Sequence, residues 1–142
     1  MSLRLAPDFE LKDLAGRAVR LSGFRGKVVL LDFWATYCGP CHDSIPEFQR
    51  LYERFRDRGL EVVGVSMDAY PGEVAGYARS LKMGYIVLLD PENRTRGPFE
   101  VRGLPMTLLL DRSGAVRKKW LGADSEGYKE IERDIEAVLN EK

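Results

Sequence analysis

The sequence predicts an α/β domain whose strands run parallel at first and then close with an antiparallel hairpin. Three observations lead there. Val28–Trp34 is a nearly unbroken apolar run, β-branched at its start, as in a strand buried on both faces. Behind it Phe48, Leu51, Tyr52 and Phe55 recur at i, i+3, i+4 and i+7, the stripe of a helix, before a second apolar run, Leu60–Ser66. Strand, helix and strand in that order read as a right-handed βαβ unit with a parallel pair. Further on, Met106–Leu110 and Val116–Leu121 flank Asp111-Arg112-Ser113-Gly114, a hairpin loop between two strands.

The other elements follow in order. Residues 7–22 read as a short hairpin, with Phe9, Leu11, Val19 and Leu21 alternating with polar residues and Ala15-Gly16 in the turn region. Pro46 should kink the first helix, and Gly59 should stop it. Residues 72–82 read as a helix, Ile86–Leu89 as a short strand and Asp90-Pro91-Glu92-Asn93 as a turn. One helical turn or two is expected over Thr95–Val101. Ser125 can cap a last helix whose Ile131, Ile135, Val138 and Leu139 face the core. No repeat, linker or low-complexity segment interrupts the chain, and 142 residues suit one domain over 1–142.

Composition narrows the function. Lys plus Arg and Asp plus Glu are both 22, so no basic excess points to nucleic acid and no polybasic tail to acidic lipid. No apolar run is long enough to span a membrane, and the N-terminus lacks the apolar stretch of a secretory signal. The expected location is cytoplasmic if the chain is full length. It is extracytoplasmic, periplasmic or membrane-tethered, if a leader was removed; Met1, Ser2 and Leu3 would then be a cloning remnant.

The two cysteines, Cys38 and Cys41, lie three apart at the junction of a strand and a helix. A disulfide scaffold needs more cysteines spread along the chain, and a structural zinc site needs four ligands where only His42 could join these two. No metal and no cofactor is therefore expected. The pair has a reactive purpose instead. A helix N-terminus stabilises a thiolate through its dipole and free N–H groups. The first cysteine, at the helix start, attacks a disulfide, and the second, one turn on, resolves the mixed disulfide. Gly39 and Pro40 limit the conformations of the loop between them.

The segment Asp32-Phe33-Trp34-Ala35-Thr36-Tyr37-Cys38-Gly39-Pro40-Cys41 resembles the active-site signature of thioredoxins. Pro46 matches the helix-kinking proline of that family, and Gly103-Leu104-Pro105 its cis-proline loop. Ala6-Pro7-Asp8-Phe9, Gly26-Lys27-Val28-Val29-Leu30, Leu110-Asp111-Arg112-Ser113-Gly114 and the long stretch from Asp68 to Pro105 are more particular. They resemble the branch related to TlpA and ResA proteins and to peroxiredoxin-like sequences, over residues 4–140. The resemblance implies a thioredoxin fold: a central mixed sheet flanked by helices, an N-terminal hairpin, and an insertion between the βαβ unit and the cis-proline strand. It implies catalytic roles for Cys38, Cys41, Asp32 and Pro105. Trp34, Gly39, Pro40 and Leu104 would line the substrate groove, with Trp34, a large amphipathic ring, equally readable as core. Asp32 would relay the proton of Cys41, its carboxyl pKa raised toward neutrality by burial in an apolar strand; the competing reading is that strand alternation simply turns it to solvent. A cis Leu104–Pro105 bond would bring the loop backbone beside the cysteines, to pair with an extended substrate as an added strand does. There are departures. Tyr37 replaces the usual tryptophan, Met106 stands where threonine is commoner, and Ser44 stands where ResA-like proteins carry a glutamate. Asp32 keeps the thioredoxin acid where that branch often has Asn, against a narrow cytochrome-maturation role.

The implied function is exchange of a CxxC dithiol with protein disulfides by a monomer fed by an upstream thiol donor. The Gly-Pro dipeptide inclines it to reduction. Two other readings compete. A thiol peroxidase needs Pro and Thr or Ser upstream of the cysteine, where this chain has Leu31 and Ala35. A copper carrier suits soft thiolates but needs wider cysteine spacing and a distant histidine. His42, Lys27, Arg102 and the charges of 47–58 read as solvated surface.

Overall fold

The computed structural model describes residues 4–141, so the reading of Met1, Ser2 and Leu3 lies outside the described residues. Seven strands form one mixed sheet in the order β2-β1-β5-β4-β3-β6-β7. They are β1 (Glu10–Asp13), β2 (Ala18–Arg20), β3 (Val28–Trp34), β4 (Leu60–Ser66), β5 (Ile86–Leu89), β6 (Met106–Leu110) and β7 (Val116–Leu121). Three α-helices join them: α1 (Gly39–Phe55), α2 (Val74–Ser80) and α3 (Ser125–Leu139). β3 and β4 pair in parallel, as do β4 and β5, while β6 and β7 close the far edge antiparallel. This is the expected thioredoxin fold, with the N-terminal hairpin joined to the sheet through β5.

β3 lies between β4 and β6, and every one of its residues is buried. Its side chains alternate between two environments. Val28 and Leu30 pack with Phe48, Leu51 and Phe55 of α1 and with Ile131, Ile135 and Leu139 of α3. Val29, Leu31 and Phe33 face a second core built with Leu11, Leu21, Phe99 and Val101. Asp32 and Trp34 continue the series of Val28 and Leu30, so they point to the face that α1 covers. α2 lies on that face too, its Val74 and Ala78 packing with Trp34, Ile45 and Val87. Two successive right-handed crossovers in one direction put both helices on one side.

The local expectations met two exceptions. Thr95–Val101 is a run of turns and not a helix. Its bonds mix spans, Phe99 N–H to Thr95 C=O and Val101 N–H to Arg96 C=O, and Glu100 takes a positive φ of 53°. That segment turns Phe99 and Val101 onto the sheet, which a straight helix of this length would not. The last helix is capped by Asp124 and not Ser125; its carboxylate accepts from the Gly127 N–H at 2.9 Å. Asp and Ser serve equally at this position, so composition alone does not choose between neighbours. Gly59, at φ 105°, ends a 3-10 turn of Arg56–Arg58 that continues α1.

Candidate active site

The site lies where β3 ends and α1 begins. The chain leaves Trp34 and makes a tight turn in which the Cys38 N–H donates to the Ala35 carbonyl at 3.2 Å. Cys38 is the N-cap of α1, with Pro40 in its first turn. The Cys41 N–H donates to Cys38 Sγ at 3.3 Å, so a free N–H of the helix start points at the first sulfur. Cys38 and Cys41 are joined as a disulfide, with Cα atoms 5.3 Å apart. Cys38 retains 9% of its surface and Cys41 none. An attacker from solvent therefore meets Cys38 first. Gly39, Pro40 and Tyr37 are exposed around it.

The Gly103-Leu104-Pro105 loop comes to the same place. The Leu104–Pro105 bond is cis, as expected. Leu104 packs against the cluster that holds Cys38, Cys41, Trp34 and Ile45. Among the described residues, Gly103 and Leu104 make no backbone hydrogen bond, while Pro105 C=O accepts from Gly122 N–H. The edge beside the disulfide thus carries unspent backbone donors and acceptors.

Asp32 lies under the site, wholly buried. In the sheet it stands opposite Gly64 of β4 and Thr107 of β6. Thr107 Oγ1 donates to Asp32 Oδ1 at 3.1 Å, and Oδ2 has no partner. Burial pushes the carboxyl up to about 8, against a small opposing pull from Thr107. Two more buried polar atoms lack partners nearby, Trp34 Nε1 and the Tyr85 hydroxyl. A Cβ on Gly64 would lie 2.9 Å from Trp34 Nε1 and 3.3 Å from Tyr85 Cε1, so the bare glycine makes room for both rings beside Asp32. Tyr85 is held well above its ordinary pKa, by burial first and then by Asp32.

Trp34 has no exposed surface; its ring stacks with Tyr77 of α2 at 5.6 Å. It lies beneath α2, whose Tyr77 and Ala78 pack over it. His42, expected to be merely solvated, is exposed but engaged: its Nδ1 lies 3.2 Å from the Tyr77 hydroxyl. Ser44 is buried, donating to the Pro40 carbonyl and sharing a 3.0 Å hydrogen bond with Tyr128 of α3. Lys27 and Arg102 are exposed, away from the cysteines' hydrogen bonding. Sequence reading missed Thr107, Tyr77, Tyr85 and the Asp68 carboxylate. Asp68 accepts from the Thr36 backbone at 3.1 and 3.2 Å and from the Thr36 hydroxyl at 2.5 Å. Each meets the site only through the fold, and none lies in a motif.

Residues 4–119 match the AhpC/TSA family. The thiol–disulfide oxidoreductase ResA of Geobacillus kaustophilus is 33% identical over 133 residues, covering 94% of this chain and 75% of the relative. ResA of Bacillus subtilis is 33% identical over 121 residues, covering 85% and 68%. Among solved structures, a Chlorobium tepidum protein described as thiol:disulfide interchange protein DsbE superposes with a TM-score of 0.93. It is 34% identical, with 97% of each chain covered.

Proposed function

We propose a division of labour at the CxxC that proceeds from one premise: this chain belongs to the AhpC/TSA family and is a thiol–disulfide oxidoreductase of its ResA-like branch. Its substrates are protein disulfides, and we infer that it reduces them. The Cys38 thiolate attacks one sulfur of the substrate disulfide, and the leaving substrate thiolate takes up a proton. Asp32, as a carboxylate, accepts the proton of the Cys41 thiol. The Cys41 sulfur then attacks Cys38 Sγ and expels the second substrate thiolate. Two electrons have passed to the substrate, and the Cys38–Cys41 disulfide remains for an upstream dithiol donor to reduce. The working unit is a monomer.

The observation that carries the assignment is the asymmetry of the pair: Cys38 at the helix N-cap, partly open and facing an N–H, and Cys41 fully enclosed. The free backbone of Gly103 and Leu104 supports substrate binding by strand-like pairing, which tolerates many side chains. Pro105 holds that loop against the site, Gly39 and Pro40 form the rim, and Trp34 supports it from below. The test is trapping. Cys41→Ser should accumulate mixed disulfides with protein substrates through Cys38, and Cys38→Ser should accumulate none. The reverse pattern would exchange the two roles.

A further inference from the structure

We infer that Asp68 is a positioning residue for the attacking thiol: by holding Thr36, it fixes the turn that sets Cys38 at the start of α1. The inference rests on Cys38 being the attacking cysteine. Asp68 follows β4, where the β3–β4 pairing runs one step past the strands through the Met67 N–H and Trp34 C=O at 2.8 Å. Its carboxylate, almost wholly buried, takes both donors of Thr36 and a third from the Ser66 hydroxyl at 2.6 Å. Ser66 Oγ accepts in turn from the Asp68 N–H at 3.2 Å, which fixes the carboxylate itself. Thr36 is the second residue of the turn closed by the Cys38 N–H and the Ala35 carbonyl. A turn of this kind, bearing an exposed tyrosine and then a reactive cysteine, has no buried side chain of its own between Ala35 and Cys38. The carboxylate supplies the anchor from another strand. Three hydrogen bonds converge on this one enclosed side chain, so the turn it anchors can hold the sulfur on the Cys41 N–H.

The fold supplies its own control. On the next strand, Asp90 accepts from the Thr95 N–H at 2.9 Å and from the Thr95 hydroxyl at 2.5 Å. The chemistry is the same, but the turn it holds leads to no cysteine. Thr36→Val and Thr95→Val each remove the hydroxyl that bonds the aspartate, Thr95 losing in addition its 3.7 Å contact with Met67 Sδ. The titratable and charged groups of the elements round the cysteines include Asp32 on β3, Tyr37 in the turn itself, His42, Asp43, Glu47, Arg50, Glu53 and Arg54 on α1, Tyr77 and Arg79 on α2, Arg102 before β6 and Asp68; neither substitution changes any of them.

The experiment is the alkylation rate of the reduced protein across pH, with the labelled cysteine identified by mass. Thr36→Val should slow alkylation of Cys38 near neutral pH about threefold to tenfold and move its midpoint upward, because a loosened N-cap stabilises the thiolate less. Thr36→Ser should restore the rate. Thr95→Val should stay within about twofold of the parent, whatever stability it loses. Ser66→Ala, which frees the carboxylate without touching the turn, should slow Cys38 in the same direction and covers the case of a Thr36→Val that does not fold. Equal rates in the two valine variants, or a Ser66→Ala rate matching the parent, would overturn the inference. Labelling of Cys41 ahead of Cys38 in the parent would instead strike the premise, independently of Thr36.

Discussion

Asp32 and Asp68 are both buried aspartates at the end of the sheet that carries the cysteines, and they have opposite surroundings. Asp68 is met by three donors from Thr36 and Ser66. Asp32 has one donor, Thr107, and an oxygen with none. At Asp32 burial disfavours the charge, and the single bond from Thr107 does not offset it. A satisfied carboxylate becomes a fixture of the fold. An unsatisfied one has either protonation state within reach near neutral pH, as the proposed proton relay requires. On the proposed mechanism, the contrast separates a group that holds the site from one that moves a proton in it.

The sharpest way to break this contrast is to delete each carboxyl and compare stability. Asp68→Ala leaves the half-buried Thr36 N–H and hydroxyl and the fully buried Ser66 hydroxyl without their partner, and should cost about 2–4 kcal/mol in urea unfolding. Asp32→Asn should act in the opposite direction at neutral pH. The native carboxyl at about 8 lies above its ordinary 3.8. Below about pH 4 both folded and unfolded states bind the proton, and Asp32 costs nothing. Between about 4 and 8 the unfolded chain gives the proton up while the native chain keeps it, so stability falls as pH rises. Asp32→Asn should abolish that fall and gain more than about 1 kcal/mol at pH 7. A variant that is less stable than the parent at every pH would mean that the carboxyl is paired after all.

Much of this site is legible in the sequence, and the limit has a physical form. Local pattern alone places β3, β4, the strand-to-helix position of the cysteines and an acid within an apolar strand. Resemblance to thioredoxins adds the cis-proline loop. What decides the behaviour of that acid is remote: Thr107 stands 75 residues away, and Thr36 lies 32 residues from Asp68. Such pairs follow from sheet order, and no periodicity announces them. That Trp34 lies in the core rather than only along the groove depends on α2, which buries it and belongs to the insertion, whose packing is nonlocal. Thr95–Val101 failed as a helix for the same reason, since Phe99 and Val101 answer to the sheet beneath them.

Two smaller effects sharpen the picture of the space beside Asp32. Gly64→Ala would push a methyl against Trp34 Nε1 and Tyr85, and should destabilise by about 1–3 kcal/mol in thermal or urea unfolding. Tyr85→Phe removes a buried hydroxyl that has no partner, and should change stability by less than about 1 kcal/mol. A loss well beyond that would show that the hydroxyl is bonded, and with it that Asp32 has company.

The most direct test of Asp32 as the working carboxylate is the rate at which Cys41 resolves a preformed mixed disulfide on Cys38, followed across pH. In the parent the rate should climb with the carboxylate fraction and level off near the Asp32 value of about 8. In Asp32→Asn that inflection should vanish, and the rate near pH 7 should fall by at least about tenfold. Equal rates near neutral pH in a folded Asp32→Asn variant would contradict the account and leave Asp32 with no part in the transfer.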